Sequence, residues 1–389
     1  MLSAPIPNST VNSESQPSLC SAPSLRVVAI GGGTGLSTLL RGLKRYVAAP
    51  GIARRATDAA TAPAKPQPEA RAATLPCSIG DLAAIVTVTD DGGSSGRLRE
   101  DLNMLPPGDV RNCMVALSED ELLLARLFQY RFEHGELDGH SFGNLFLAAL
   151  SEITGDFAQA VQMSSQILAA RGRIYPATNT NVTLAARMDD DSIVNGETSI
   201  TASPRRIVEL MLVPADAQPL PATLDAIANA DLITLGPGSL YTSLITNLLV
   251  RGIPEAIAAS KATRVYIGNL MTQANESLGL TASQHIEKIL HHCGTNGSRI
   301  FDYALIHTAS ISPTLLAKYA SGGQTPIEAD LDRIRALGVE PIPGDFAQEG
   351  SLLRHDPERV TQTLLKLVLG DAQTGGAQKS ANQSAHACV

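Results

Sequence analysis

The chain has few cysteines, no long apolar run and no basic excess, and each shortage removes a class of protein. Its five cysteines (Cys20, Cys77, Cys113, Cys293, Cys388) are odd in number and widely separated, with no C-x-x-C pair. Neither a disulfide framework nor a zinc ribbon is indicated, and a reducing cytoplasm is the expected setting. No apolar stretch approaches the roughly 18 residues of a membrane span, and residues 1–24 lack the charged start and apolar centre of a signal peptide. The net charge is −8, with Lys and Arg scattered singly rather than in a stripe. Nucleic acid is therefore not expected as the main partner. An acidic chain that binds phosphate must do so with backbone amides and a few placed arginines.

What is present is a chain of 389 residues, 44% hydrophobic, enough for one large core or two ordinary ones. Residues 1–24 and 371–389 read as polar tails, and the Ala/Pro/Arg-rich 48–76 reads as a flexible insert. Such composition buries too little apolar surface to offset its ordering entropy. Residues 25–370 read as a single domain in which short β-rich runs alternate with helical patterns. Val27–Ile30, Leu82–Thr89, Leu232–Leu235, Arg264–Ile267 and Tyr303–Ile306 are expected strands. Leu36, Leu39, Leu40 and Leu43 repeat at helical spacing, and Glu121–Phe132, Phe142–Ile153 and Phe157–Ala170 are expected helices. Val182–Met188 and Thr198–Ile200 suggest an antiparallel excursion around the turn Asp189–Gly196, continued by the strand Ile207–Val213. The class is α/β: a Rossmann-like, mainly parallel sheet with helices on both faces and a small antiparallel excursion. Ligands in such sheets bind beyond the carboxyl ends of the strands.

The chemistry-bearing residues cluster at those ends. Gly31-Gly32-Gly33-Thr34-Gly35 joins a strand to a helix, which makes an anion site of free amides and the helix dipole. It is no dinucleotide fingerprint, because Leu36 falls at the last glycine, and no Gly-Lys-Ser/Thr follows to make a Walker loop. Asp90-Asp91-Gly92-Gly93-Ser94-Ser95-Gly96 then follows the second strand. Its glycines let the backbone approach a ligand, while Asp90 and Asp91 suit a cation, a hydroxyl or a base edge. In Pro106-Pro107-Gly108-Asp109-Val110-Arg111-Asn112, Arg111 offers a planar fork suited to phosphate, and Asp109 could orient it or accept from a substrate hydroxyl. A structural Asp–Arg pair is the competing reading there. Ser141 reads as a helix N-cap, with His140 at the mouth and Asn144 in the first turn as ligand contacts. Gly236-Pro237-Gly238-Ser239 repeats the strand–glycine–helix pattern, and Asn269 and Thr272 follow another strand. Asp189-Asp190-Asp191 reads as a solvated hairpin tip, and His291-His292-Cys293, lacking a partner ligand group, as a helix end. No Ser/His/Asp spacing marks a hydrolase.

Together, Gly31–Gly35, Asp90–Gly96, Pro106–Asn112, His140–Asn144, Gly236–Ser243 and Asn269–Thr272 resemble the gluconeogenesis factor family of bacteria. That family is similar to the 2-phospho-L-lactate transferases acting on a deazaflavin coenzyme precursor. The resemblance covers roughly residues 26–370. The sequence departs from the family pattern at Ala274 and Asn275, where a proline and a glycine are usual, and in the 48–76 insert. The resemblance implies a cytoplasmic protein that binds a nucleotide sugar such as UDP-N-acetylglucosamine. It also implies a role in cell shape and cell-wall synthesis during gluconeogenic growth, with cell-wall synthesis proteins and a homo-oligomer as expected partners. Gly32–Gly35 and Gly236, Gly238 and Ser239 would hold the diphosphate, and Arg111 would add charge-assisted contacts. Asp90, Asp91, Asn144 and Asn269 would take hydroxyls or the base. The alternative is a transferase, in which Asp90 or Asp91 would bind Mg²⁺ or accept a proton.

Overall fold

The computed structural model describes residues 24–48, 78–119, 123–294 and 299–370. Nearly all of the expected tails and insert lie outside the described residues. In chain order the strands are β1 (Ser24–Gly31), β2 (Ser78–Val86), β3 (Arg173–Pro176), β4 (Thr183–Met188), β5 (Ile193–Asn195) and β6 (Ile207–Val213). They continue with β7 (Leu232–Leu235), β8 (Thr263–Ile267), β9 (Tyr303–His307), β10 (Glu340–Gly344), β11 (Ala347–Gln348) and β12 (Arg354–His355). The helices nearest the site are α1 (Gly33–Lys44), α2 (Gly93–Leu102), α3 (Gly108–Leu117), α4 (Leu124–Gln129), α5 (Phe142–Thr154) and α6 (Phe157–Ile167).

Seven strands form one sheet in the order β10-β9-β8-β7-β1-β2-β3, every pair parallel. The inner strands β1, β2 and β7 are near-continuous apolar runs because both faces are buried. The edges read differently. β10 carries Pro341 and Pro343 and pairs only with β9, and β3 ends in Pro176. A residue without an amide hydrogen is tolerated at an edge. The second, three-stranded sheet β5-β4-β6 is antiparallel. The α/β class with a small antiparallel excursion is thus what the chain adopts.

Leu36, Leu39, Leu40 and Leu43 are all buried on one face of α1. Each contributes about 1.5–3 kcal/mol by burial, which anchors the glycine-rich start of that helix. β1 lies between β7 and β2, so the chain leaves it in one direction and returns to its other side much later. Between β1 and β7 is the point where the strand order reverses, and loops on either side part to leave a crevice.

Several local expectations are corrected. Thr198–Ile200 belongs to a short helix, Glu197–Ala202, and the antiparallel partner of β4 is instead Ile193–Asn195. The helix expected over Glu121–Phe132 narrows in its described part to α4, because the chain then turns back from Phe132 to His140. Asp90–Arg97 and Pro106–Asn112 are not loops throughout: Gly93 and Gly108 begin α2 and α3. Glycine and proline at helix starts hid both from a propensity reading. Asp189–Asp191 does form a polar turn, held by Arg206, Arg205 and Arg187, and His291–Cys293 does close a helix, Ala282–Cys293. No helix among the described residues is long and apolar enough to cross a membrane.

Candidate functional site

A cleft of about 400 Å³ opens at the strand-order reversal, lined by the loops after β1, β7 and β8 and by β12. Eight of the expected site residues line it: Gly32, Gly33, Thr34, Gly35, Gly238, Ser239, Asn269 and Thr272. The first two loops press directly on each other. A Cβ on Gly35 would lie 2.3 Å from the Pro237 carbonyl oxygen, so only glycine permits that approach. A Cβ on Gly32 would lie 2.5 Å from Thr87 Cγ2 and 2.7 Å from Asp109 Oδ2. The bare backbone of Gly32 therefore separates the cleft from a group of carboxyls behind it.

The electrostatics of the cleft favour an anion. α1 has no side-chain cap, and its first intrahelical bond is Leu36 N–H to Gly32 O at 3.4 Å. The Gly33 amide donates to Asp109, which leaves the Thr34 and Gly35 amides facing the cleft without a chain partner. Among the described residues no carboxylate lines the cleft, and Arg354, exposed and in no ion pair, is its single formally charged side chain. His355 beside it donates Nε2–H to the Gly268 carbonyl at 3.0 Å. Burial, reinforced by His307, pushes its pKa down to about 4, so it is neutral near pH 7. Tyr319 accepts the Leu353 amide at 3.0 Å and so ties the β11–β12 hairpin over the cleft wall. Asn269 keeps a buried Oδ1 with no partner.

The two glycine loops are not equivalent. The helical turn that follows Ser239 has its amide end filled from within, because Glu276 accepts the Tyr241 amide at 3.4 Å and the Thr242 hydroxyl at 3.1 Å. Gly236 lies buried at the end of β7 against the Ile267 carbonyl rather than in the cleft lining. Ser239 Oγ accepts from Gln273 Nε2 at 2.9 Å, and the Thr272 hydroxyl accepts the Thr325 amide at 2.9 Å. Where the family glycine is usual, Asn275 adopts a left-handed φ of 63° and donates Nδ2–H to the Thr201 carbonyl at 3.0 Å. Asparagine is among the few residues that tolerate this conformation, so the loop keeps its turn despite the departure.

The remaining expected residues gather outside the cleft lining, where α2, α3 and α5 begin. Asp90 Oδ1 accepts the Gly92 amide at 3.0 Å, and its Oδ2 sits 2.8 Å from where a Gly108 Cβ would be. Asp91 turns elsewhere, accepting from Thr198 N at 2.8 Å and Thr198 Oγ1 at 2.6 Å. Adjacent aspartates on an extended segment point apart, and these do. Gly93 opens α2 in the open with φ +48°. Asp109 does not pair with Arg111, which settles the alternative left open by the motif. Arg111 instead donates to Ser141 Oγ at 3.1 Å and to Asn112 Oδ1 at 2.9 Å. Ser141 caps α5 by accepting the Asn144 amide at 3.1 Å. Ser94 Oγ lies 3.1 Å from both His140 Nδ1 and Asn144 Nδ2.

Asp90, Asp109 and Glu197 form a set of carboxyls, none in an ion pair. Burial first, and then the charge of Asp90, raises Asp109 to about 7. Burial, Asp109 and Asp90 raise Glu197 to about 8, against the Thr89 hydroxyl bond at 3.1 Å that lowers it. Among the described residues no group of three or more His, Cys, Asp and Glu is arranged to hold a metal. An Asp90–Asp91 pair does not fit one, since Asp91 is committed to Thr198. Asp90 with Asp109 fits Mg²⁺ only in the manner of an ion completed by water and ligand phosphates.

Sequence reasoning missed Glu197, Gln273, Tyr319, Arg354 and His355. Glu197 was hidden by the mistaken strand, and Arg354 and His355 sit in a two-residue strand with no motif around them.

The family model described as 2-phospho-L-lactate transferase CofD matches residues 27–347. The chain is 47% identical over 342 residues to a gluconeogenesis factor of Halalkalibacterium halodurans, covering 87% of this chain and 95% of that one. It is 41% identical over 345 residues to the gluconeogenesis factor of Bacillus subtilis, covering 88% and 98%. Its fold is similar to the crystal structure, at 2.60 Å, of a UPF0052 family member from Bacillus halodurans. There the TM-score is 0.77 and the identity 46%, over 88% of this chain and 99% of that one.

Proposed function

Since the chain belongs to the CofD family and has gluconeogenesis factors as relatives, we propose that its cleft binds a nucleotide diphosphate sugar of the UDP-N-acetylglucosamine type. Its role would then be to regulate cell shape and cell-wall synthesis in the cytoplasm during gluconeogenic growth. The observation that carries this reading is the charge of the cleft. It offers uncapped amides of Thr34 and Gly35 and the unpaired Arg354, and no carboxylate lines it. The amides and the guanidinium take the diphosphate, and Asn269 Oδ1, buried and unpartnered, accepts from a base or sugar donor. Calorimetry with UDP-N-acetylglucosamine tests it: saturable binding is expected, about tenfold weaker in Arg354→Ala, whose thermal midpoint should match the parent. Absence of saturable heat at millimolar ligand refutes the reading.

One observation favours a second reading, a 2-phospho-L-lactate transferase. A carboxyl with a pKa of about 7, as at Asp109, is poised to accept a hydroxyl proton near neutral pH. Mg²⁺, when bound, supplies charge neutralisation for the phosphates. Asp90 would hold it with water and ligand oxygens, which leaves Asp109 to take the proton, and Glu197 would stay protonated and so neutral beside them. Turnover of a deazaflavin precursor with an activated phospholactate and Mg²⁺, abolished in Asp109→Asn, would establish this activity. No turnover under those conditions refutes it.

A further inference from the structure

Among the described residues most arginines are ion-paired, such as Arg26 with Asp231, Arg264 with Asp302 and Arg187 with Glu209. Arg97, Arg111 and Arg131 are not, although they stand close together around one mouth. Arg97 donates to the Asp138 carbonyl at 2.7 Å and Arg131 to the Gly139 carbonyl, so both guanidinium groups are drawn to the loop that ends at His140. Arg111 reaches the same loop's end through Ser141 Oγ at 3.1 Å. Backbone carbonyls and hydroxyls orient these cations without an ion pair. Asp90 and Asp109 act on Arg111, and Asp101 acts on His140, yet none of the three forms an ion pair with these arginines.

Two further features converge there. The N-termini of α2, α3 and α5 meet at this point: Ser94 of α2 is bonded to Asn144 of α5, and Gly108 of α3 abuts Ser95 and Asp90. Each helix has at least ten residues, so each brings the positive end of its dipole. Two buried polar atoms remain without a partner, Arg111 Nε and Asn144 Oδ1, and Asn144 is only 2% exposed. Unpaired polar atoms at such depth cost stability unless a ligand or water satisfies them. His140, 7% exposed, has its neutral form favoured by burial and by Arg97, so it can bond an anion or a hydroxyl at its open ring nitrogen.

We propose that Arg97, Arg111 and Arg131, with His140 and Asn144, form a second anion site, which takes a carboxylate- or phosphate-bearing small molecule distinct from the nucleotide in the cleft. The guanidinium groups fix its charge, and the buried Asn144 carbonyl accepts from a hydroxyl or amide on the same molecule. The site does not depend on the nucleotide reading, because none of these residues lines the cleft.

The test is calorimetry of the full chain with inorganic phosphate at constant ionic strength, with and without UDP-N-acetylglucosamine. Arg131→Ala and Arg97→Ala, both at exposed positions, are compared with Arg354→Ala. Saturable phosphate binding is expected in the parent and in Arg354→Ala, about tenfold weaker in each of the other two variants, with thermal midpoints unchanged. Absence of saturable phosphate binding overturns the proposal. So does binding lost in Arg354→Ala but kept in Arg131→Ala, which would put the phosphate in the cleft. Competition between phosphate and UDP-N-acetylglucosamine also overturns it, since the arginines would then serve the far end of a single ligand. Because the phosphate arm is read in Arg354→Ala, a failure of the nucleotide reading leaves this outcome separately visible.

Discussion

Replacing Asp109 by Asn should stabilise the protein, and more so at alkaline than at acidic pH. Asp109 sits behind Gly32 with the Gly33 amide on its carboxylate, and burial and Asp90 raise it from 3.8 to about 7. In the folded chain the proton is therefore held until about pH 7, whereas the unfolded chain releases it near pH 4. Wherever the folded state binds more protons, stability falls as pH rises. Here it falls between about pH 4 and 7 and then levels off. Each pH unit in that window is worth about 1.4 kcal/mol for one fully desolvated group. Between pH 5 and 8 the parent should lose about 3 kcal/mol that Asp109→Asn keeps, or about half of that given the solvent contact Asp109 retains. Asparagine can still accept the Gly33 amide, and any cost of the exchange itself is independent of pH. Glu197, raised in part by Asp109, relaxes in the same direction and reinforces the sign. Urea unfolding of both proteins at pH 5, 6.5 and 8 measures the difference. A stability difference constant across that range would refute the account of this carboxyl cluster.

The same carboxyl should govern the cleft, so nucleotide affinity in the parent is expected to fall as pH rises through about 7 and to stay level in Asp109→Asn, measured by calorimetry. Gly35→Ala should cost about 1–3 kcal/mol and abolish nucleotide binding, since its Cβ would meet the Pro237 carbonyl at 2.3 Å and force the two loops apart. An unchanged thermal midpoint and affinity would contradict that packing. His355, held neutral down to about pH 4, works in the opposite sense to Asp109. The unfolded chain takes up that proton near pH 6.5, so stability falls as pH drops from there towards 4. Relative to His355→Gln, the parent should lose up to about 3 kcal/mol between pH 7 and 4, read by urea midpoints at each pH.

The alternation of apolar β-rich runs with the Leu36–Leu43 spacing was enough to specify a mainly parallel sheet with glycine loops at its strand ends, because buried parallel strands and amphipathic helices have local periods. The same locality placed Ser141 as the α5 cap and Gly32–Gly35 at a helix mouth. What the pattern could not carry was proximity between distant segments. Arg354 and His355 reach the cleft from a two-residue strand over 300 residues after Gly32, and no spacing encodes that. Glu276 closes the second helix mouth from another loop, and Thr198 takes Asp91 away from Asp90. Sequence alone offered one set of polar loops as a single site. The tertiary structure divided it into a carboxylate-free cleft of open amides, a set of buried carboxyls and an arginine-rich mouth, because burial and charge pairing are set by which loops meet, not by what each contains.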